Sequence, residues 1–141
     1  LSDDIHQYFG LGCRNVTMLY VPRDYDFVPL IGAFNKYSHF ADHNKYKNNF
    51  NYQLSLALLN NIFYMTNNST LLIENEAIFS AIAQVHYCYY DDAEILLKGL
   101  SVHPDIQCIT GQYGIPFGQA QRPSLTDYAD GVDTLQFLLG L

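Results

Sequence analysis

Basic charge is what this chain has least of: seven Lys and Arg stand against fourteen Asp and Glu, a formal charge of −7. Nucleic acid, whose phosphates call for a basic surface, is therefore excluded as the expected partner. The acidity carries little information about a substrate, because net charge governs solubility and steering. Tryptophan is absent. So is any apolar run approaching the roughly 20 residues of a membrane span, and no signal peptide is recognised. Cysteine is scarce too: Cys13, Cys88 and Cys108 form an odd set without CxxC spacing. That fits a reducing compartment better than a disulfide framework and leaves room for a reactive thiol. The expected location is cytoplasmic, where the sequons at Asn15, Asn67 and Asn68 have no meaning.

What remains is ample for a core. The 141 residues are 49% hydrophobic and include twelve tyrosines and nine phenylalanines. They read as a single domain over 1–141. Residues 16–21 (VTMLYV) predict a buried strand stopped by Pro22. Asp26 is placed to cap a helix over 27–37, with Pro29 in its first turn. The Asn- and Tyr-rich stretch 39–51 reads as a loop or helix edge, and 52–60 as a helix stopped by Asn60 and Asn61. Short strands are expected over 62–65 and 71–74, around an NNST turn. The best strand covers 81–90 and ends on Asp91-Asp92, which caps a helix over 93–100. A further strand is expected over 105–110, then a Gly/Pro loop, and a final helix over 134–139 behind a capping box from Asp130 to Asp133. Strands alternating with helices predict an α/β fold.

The chemistry concentrates at Gly10-Leu-Gly-Cys-Arg-Asn-Val16. Two glycines before a cysteine allow a tight turn and close approach of a substrate. The strand that follows would hold the thiol on a rigid element. A thioester carbonyl placed there is open to attack by thiolate, with backbone N–H groups for the oxyanion. Arg14 adds positive charge that favours thiolate. The alternative is that Cys13 is a small buried hydrophobe.

Three segments carry a family resemblance. FGLGCRNVTMLYVP (9–22) is similar to the nucleophile segment of bacterial acyl-CoA reductases. These belong to the aldehyde dehydrogenase superfamily and include the fatty-acid reductase that supplies luciferase with aldehyde. Glu74-Asn-Glu-Ala-Ile-Phe-Ser80 resembles the superfamily's Glu-Glu-Ile-Phe-Gly-Pro segment, which approaches the nicotinamide ribose. Pro116-Phe-Gly-Gln-Ala-Gln121, followed by Asp127-Tyr-Ala-Asp-Gly-Val-Asp133, resembles the closing segment of Bacteroidetes-type acyl-CoA reductases. The three matches fall in the family's order.

The resemblance implies an aldehyde dehydrogenase-like catalytic domain, a mostly parallel sheet flanked by helices. It also implies a C-terminal thiol domain of a longer enzyme, for the nucleotide-binding domain precedes the cysteine in this superfamily and no G-x-G-x-x-G turn is present. The chain begins at Leu1 as if in mid-fold, and on its own it is expected to be inactive. In the implied reaction, Cys13 takes the acyl group from an acyl-CoA, and NADPH or NADH reduces the thioester to an aldehyde. Aligned on Ile78-Phe79, the family's ribose-contacting glutamate falls on Ala77, one residue after Glu76, and Ser80-Ala81 replaces Gly-Pro. Glu76 and Phe79 are the cofactor-side candidates; the alternative makes them a surface acid and a core aromatic. Dimerisation through the catalytic domain is common in the superfamily, so a homodimer is among the implied arrangements.

Other constellations read as structural. His39 and His43 would share a helix face around Asp42 but lack a third metal ligand, so no metal site is assigned. His86 and Cys88 share a strand face and read as a core histidine beside a structural thiol. Tyr87, Tyr89 and Tyr90 suit cross-strand packing. Asp127, Asp130 and Asp133 suit caps and solvent. Two other functions remain open: a cofactor-independent cysteine acyltransferase or hydrolase, with His6 the only histidine near Cys13 in sequence, and a non-catalytic α/β interaction domain with a buried Cys13.

Overall fold

The computed structural model describes residues 1–140. Its chain opens with α1 (Ser2–His6), a tight turn over Gln7–Gly10, and β1 (Met18–Val21). Next come α2 (Val28–Phe34), a 3₁₀ segment over Asn35–Asp42, and the long α3 (Asn44–Leu59). Strands β2 (Tyr64–Thr66), β3 (Leu71–Glu74) and β4 (Gln84–Tyr89) follow, then α4 (Ala93–Ser101), a 3₁₀ turn at Ala129–Gly131 and α5 (Thr134–Leu139). The four strands form one sheet in the order β1-β4-β3-β2. β1 runs parallel to β4 and β4 to β3, and only β2 is antiparallel to its neighbour. The chain is thus mixed α/β with a mostly parallel sheet. No helix among the described residues is long and apolar enough to cross a membrane.

Strand alternation sends side chains to two cores. On one face Leu19, Val21, Leu72, Val85 and Tyr87 pack with Ile5 of α1 and with Phe27, Leu30 and Phe34 beneath α2. On the other face Leu71 and Ile73 pack with Phe40, Tyr46, Phe50 and Ala57. β3 is buried on both faces, which is why LLI reads as an unbroken apolar run. Each fully buried Leu, Val or Phe in these clusters contributes about 1.5–3 kcal/mol. The β4 side of the second face is covered differently. Residues 75–83, the crossover from β3 to β4, fold across it without a helix. There the Ala77 carbonyl meets His86 Nδ1 at 2.7 Å and the Asn75 carbonyl accepts from Cys88 Sγ at 3.2 Å.

Several expectations need correcting. The helix expected over 27–37 ends at Phe34 and tightens into the 3₁₀ segment, although Asp26 Oδ1 does accept the Val28 amide at 2.9 Å. Of the two readings of 39–51, loop or helix edge, the structure has the helical one: α3 already begins at Asn44. Tyr46, Phe50, Leu54 and Ala57 lie on one helical face and pack into the core, and that packing overrides the poor helix propensity of asparagine. The strand expected over 81–90 starts at Gln84, because Ala83 turns with φ 63°. β1 and β2 start two residues later than expected. Residues 105–110 form no strand, and only an isolated bridge joins Thr110 to Ile115. Their apolar side chains are spent on a cavity wall instead, as described below. Asp92 caps α4 by accepting from the Glu94 and Ile95 amides, and Asp133 Oδ1 caps α5 through Gln136 at 2.8 Å. The Asp130 side chain and Leu141 lie outside the described residues.

A buried polar chain joins the first helix to the sheet. His6, 2% exposed, places Nδ1 2.8 Å from the Ser2 carbonyl and Nε2 2.9 Å from Thr70 Oγ1. A carbonyl only accepts, so Nδ1 carries the proton and Nε2 accepts from the Thr70 hydroxyl. Tyr46 then donates its hydroxyl to Thr70 Oγ1 at 3.2 Å. Burial holds the His6 pKa below its ordinary 6.5. Below that pH the unfolded chain binds a proton that the folded chain refuses, so this part of the stability is complete above pH 6.5 and is lost as pH falls. Urea unfolding from pH 7.5 down to 5 should show that decline. His6→Gln, though less stable throughout, should lose this component of the slope; an unchanged slope would contradict the assignment.

Candidate functional site

The turn that presents Cys13 is built under constraint. Tyr8, Phe9 and Gly10 are consecutively left-handed, with φ of 57°, 60° and 73°. For the two non-glycine residues this costs roughly 1–2 kcal/mol each. Phe9 offsets part of it by packing on Phe40, with ring centroids 4.4 Å apart, and on His43 at 4.9 Å. Asn15 then closes the loop. Its Nδ2 donates to the carbonyls of Asp4, Ile5 and Gln7 at 3.0–3.1 Å, and its Oδ1 accepts the Gly12 amide at 2.6 Å. A Cβ at position 12 would lie 2.8 Å from that oxygen, so glycine is required there.

The tail locks onto this turn from the other side. Asp4, 1% exposed, accepts the Gly118 amide at 2.7 Å and the Ala120 amide at 3.0 Å. Arg14 Nε donates to the Ala120 carbonyl at 2.7 Å. The Arg14 side chain is therefore directed to the tail. Gln121 packs beside Gly12, its buried Nε2 without a hydrogen-bond partner. Thr17 Oγ1 donates to the Ile78 carbonyl at 2.8 Å and fixes the second of the three sequence segments.

Between these pieces lies a cavity of about 530 Å³. β1 and the preceding turn form one wall. Ala93, Leu96, Leu97 and Leu100 of α4 form another, spaced so that they share one helical face. Ile106, Cys108 and Ile109 line it in place of the expected strand, and Ile78, Phe79, Tyr113 and Phe117 complete it. A volume of this size suits a small-molecule ligand.

Cys13 is exposed and belongs to this wall, so the reading of a buried structural thiol is overturned. Phe79 also belongs to the wall and is 64% exposed, so it is no core aromatic. Glu76 is exposed and outside the cavity; its charge instead acts on Cys88. Burial, with help from Glu76 and Glu74, pushes the Cys88 thiol up. Burial likewise pushes the Cys108 thiol up, only partly offset by Arg14. His86 is engaged by Ala77 and Gln84, and Cys88 by Asn75, so the two form no Cys–His pair. His39 lies in the 3₁₀ segment and His43 takes extended geometry before α3, so they share no helical face. No group of three or more metal-ligating side chains occurs among the described residues. Asp4, Asn15 and Cys108 are the site residues that sequence reasoning missed. Only the place of Asn15 two residues after Cys13 offered a local signal.

The nucleotide cofactor implied by the resemblance fits these residues poorly. Asp91 and Asp92 in the turn from β4 into α4, and Glu94 in the first turn of α4, repel phosphate, and the turn from β1 into α2 has no glycine. The exposed rings of Phe79, Tyr113 and Phe117, in the same wall as Cys13, offer surfaces for a flat aromatic group but no partner for phosphate.

Comparison with protein-family models, with curated proteins and with solved structures finds no match to this chain.

Iodoacetamide at neutral pH should modify Cys13 several-fold faster than Cys88 or Cys108, because Cys13 is exposed while burial pushes the other two thiols up. Peptide mass mapping after partial labelling reads this, and equal rates would contradict it. Asp4→Ala should cost roughly 2–4 kcal/mol in urea unfolding, since the buried Ala120 amide and the half-buried Gly118 amide lose their acceptor. It should also speed labelling of Cys108 as the tail loosens.

Proposed function

We propose that this chain carries the acyl-accepting thiol of an acyl-CoA reductase, in an aldehyde dehydrogenase-like catalytic domain, with Cys13 as nucleophile. The observation that supports this best is an exposed cysteine on the rim of a cavity whose walls are mainly apolar side chains. Such a cavity takes up a hydrocarbon chain while the thioester carbonyl stays at the rim. All three segments that carry the family resemblance contribute to that wall, through Cys13, Phe79 and Phe117.

In the acyl-transfer step Cys13 Sγ, as thiolate, attacks the thioester carbonyl carbon and forms the new carbon–sulfur bond. The bond to the CoA sulfur breaks, and CoA leaves as thiolate that takes up a proton from solvent. The four apolar residues of α4 hold the chain and exclude water from the rim. The hydride that would release the aldehyde is, by the resemblance alone, that of NADPH or NADH. The phosphates of that cofactor need residues other than those described here.

The cofactor-independent cysteine hydrolase is the weaker alternative because it needs an imidazole beside Cys13. Among the described residues no histidine lines the cavity, and both ring nitrogens of His6 are engaged elsewhere.

Incubation with a fatty acyl-CoA should add one acyl group to the intact mass and release one CoA. Digestion should place the adduct on Cys13. Cys13→Ser should abolish it, whereas Cys88→Ser should leave it in place. An unmodified mass, or an adduct confined to Cys108, would sink the proposal.

A further inference from the structure

Cys13 and Cys108 line the same cavity from opposite ends of the sequence. Cys108 Sγ lies 3.8 Å from the carbonyl oxygen of Arg14, the residue next to Cys13. Cys13 sits on an irregular turn, and Cys108 on the stretch 105–109, which no strand ladder holds. The remaining thiol is placed differently: Cys88 belongs to β4, outside the cavity, and donates to the Asn75 carbonyl at 3.2 Å.

We propose that Cys13 and Cys108 form a peroxide-responsive pair, in which Cys108 captures oxidised Cys13 as an intramolecular disulfide across the cavity rim. The proposal needs only an accessible Cys13 thiol and is independent of acyl transfer.

The chemistry balances with hydrogen peroxide as oxidant. Cys13 thiolate attacks one peroxide oxygen, the O–O bond breaks, and the products are a sulfenic acid and water. Cys108 gives up its proton and its sulfur attacks the sulfenic sulfur. The S–O bond breaks, and the departing hydroxide takes that proton and leaves as a second water. Two thiols are oxidised to one disulfide while one peroxide is reduced to two waters.

The two sites divide the roles. Cys13 is exposed and meets peroxide first. Burial keeps the Cys108 thiol protonated near neutral pH, so it does not compete for the oxidant. Cys13 is among the groups whose charge acts on the Cys108 thiol, a second sign that the two are neighbours. A disulfide needs the two Cα atoms within about 4.4–6.8 Å, and a shift of the irregular stretch 105–109 supplies the approach. The bond would pin that stretch over the rim, close the cavity and spare Cys13 from irreversible oxidation.

The test uses the reduced full chain, treated with equimolar hydrogen peroxide, quenched with N-ethylmaleimide and analysed by intact mass and non-reducing peptide mapping. The expected result is loss of two hydrogens, two fewer alkylated thiols and a linked peptide pair containing Cys13 and Cys108, all reversed by dithiothreitol. Cys88→Ser should behave like the unmodified protein. Cys108→Ser should instead accumulate sulfinic acid on Cys13, roughly tenfold more than the unmodified protein at the same dose. If Cys108→Ser misfolds by circular dichroism, the linked-peptide map of the unmodified protein decides alone. Equal sulfinic acid in both proteins, linkage through Cys88, or disulfides only between chains would overturn the proposal. A protein that forms the disulfide but takes no acyl group would retain this inference and lose the acyl-CoA reductase reading.

Discussion

The Asp4 carboxylate holds the site together. It is almost fully buried and meets two backbone amides of the tail, while its own carbonyl accepts from the Val16 amide at 3.0 Å and from the Asn15 side chain at 3.0 Å. One residue thereby fixes the first helix, the turn before β1 and the segment after residue 116. A buried carboxylate is costly to desolvate unless its oxygens are hydrogen-bonded, and here both are. The Arg14 contact with the Ala120 carbonyl is a second hold on the tail, and Phe117, just before Gly118, belongs to the cavity wall that this clasp keeps in place.

Because the framework is fixed this way, the three thiols of one short chain meet three different fates. Cys88 hydrogen-bonds under the crossover from β3 to β4, beside two glutamates that discourage its ionisation. Cys108 is half-buried in the wall, where burial outweighs the neighbouring guanidinium. Cys13 alone is presented at the surface, on a turn whose left-handed residues leave little room to relax. Chemical difference among identical side chains comes from where the backbone holds each one.

The parts of this arrangement legible in the sequence are those set by neighbours in the chain. β3 shows as LLI, the Asn67 turn as NNST, and the α4 cap as Asp92. Cys13 shows through its glycines, and the structure brings the three segments singled out in the sequence to one cavity. Features set by distant partners do not show. The start of α3 is hidden because Asn44, Asn48 and Asn49 mask the stripe of Tyr46 and Phe50. The pattern DIQCIT alternates like a strand, yet it fills a cavity wall and not a sheet edge. Asp4 looks like one of several surface acids until its partners, 114 and 116 residues away, are in place. Glu76 shares a motif with Phe79 yet lies outside the cavity, because the crossover turns its side chain to solvent.

That separation between Asp4 and its partners also sets an order of assembly. At ordinary synthesis rates, residues 118 and 120 emerge on the order of ten seconds after Asp4. β1 likewise waits for β4 before it has any neighbour in the sheet. Long-range closures of this kind slow folding, since the entropy of the intervening chain is lost before the contact repays it. The turn that bears Cys13 is therefore among the first parts of the chain to be made and among the last to be shaped. In a nascent chain Cys13 has no fixed setting, and its place on the cavity wall is reached only as the clasp closes.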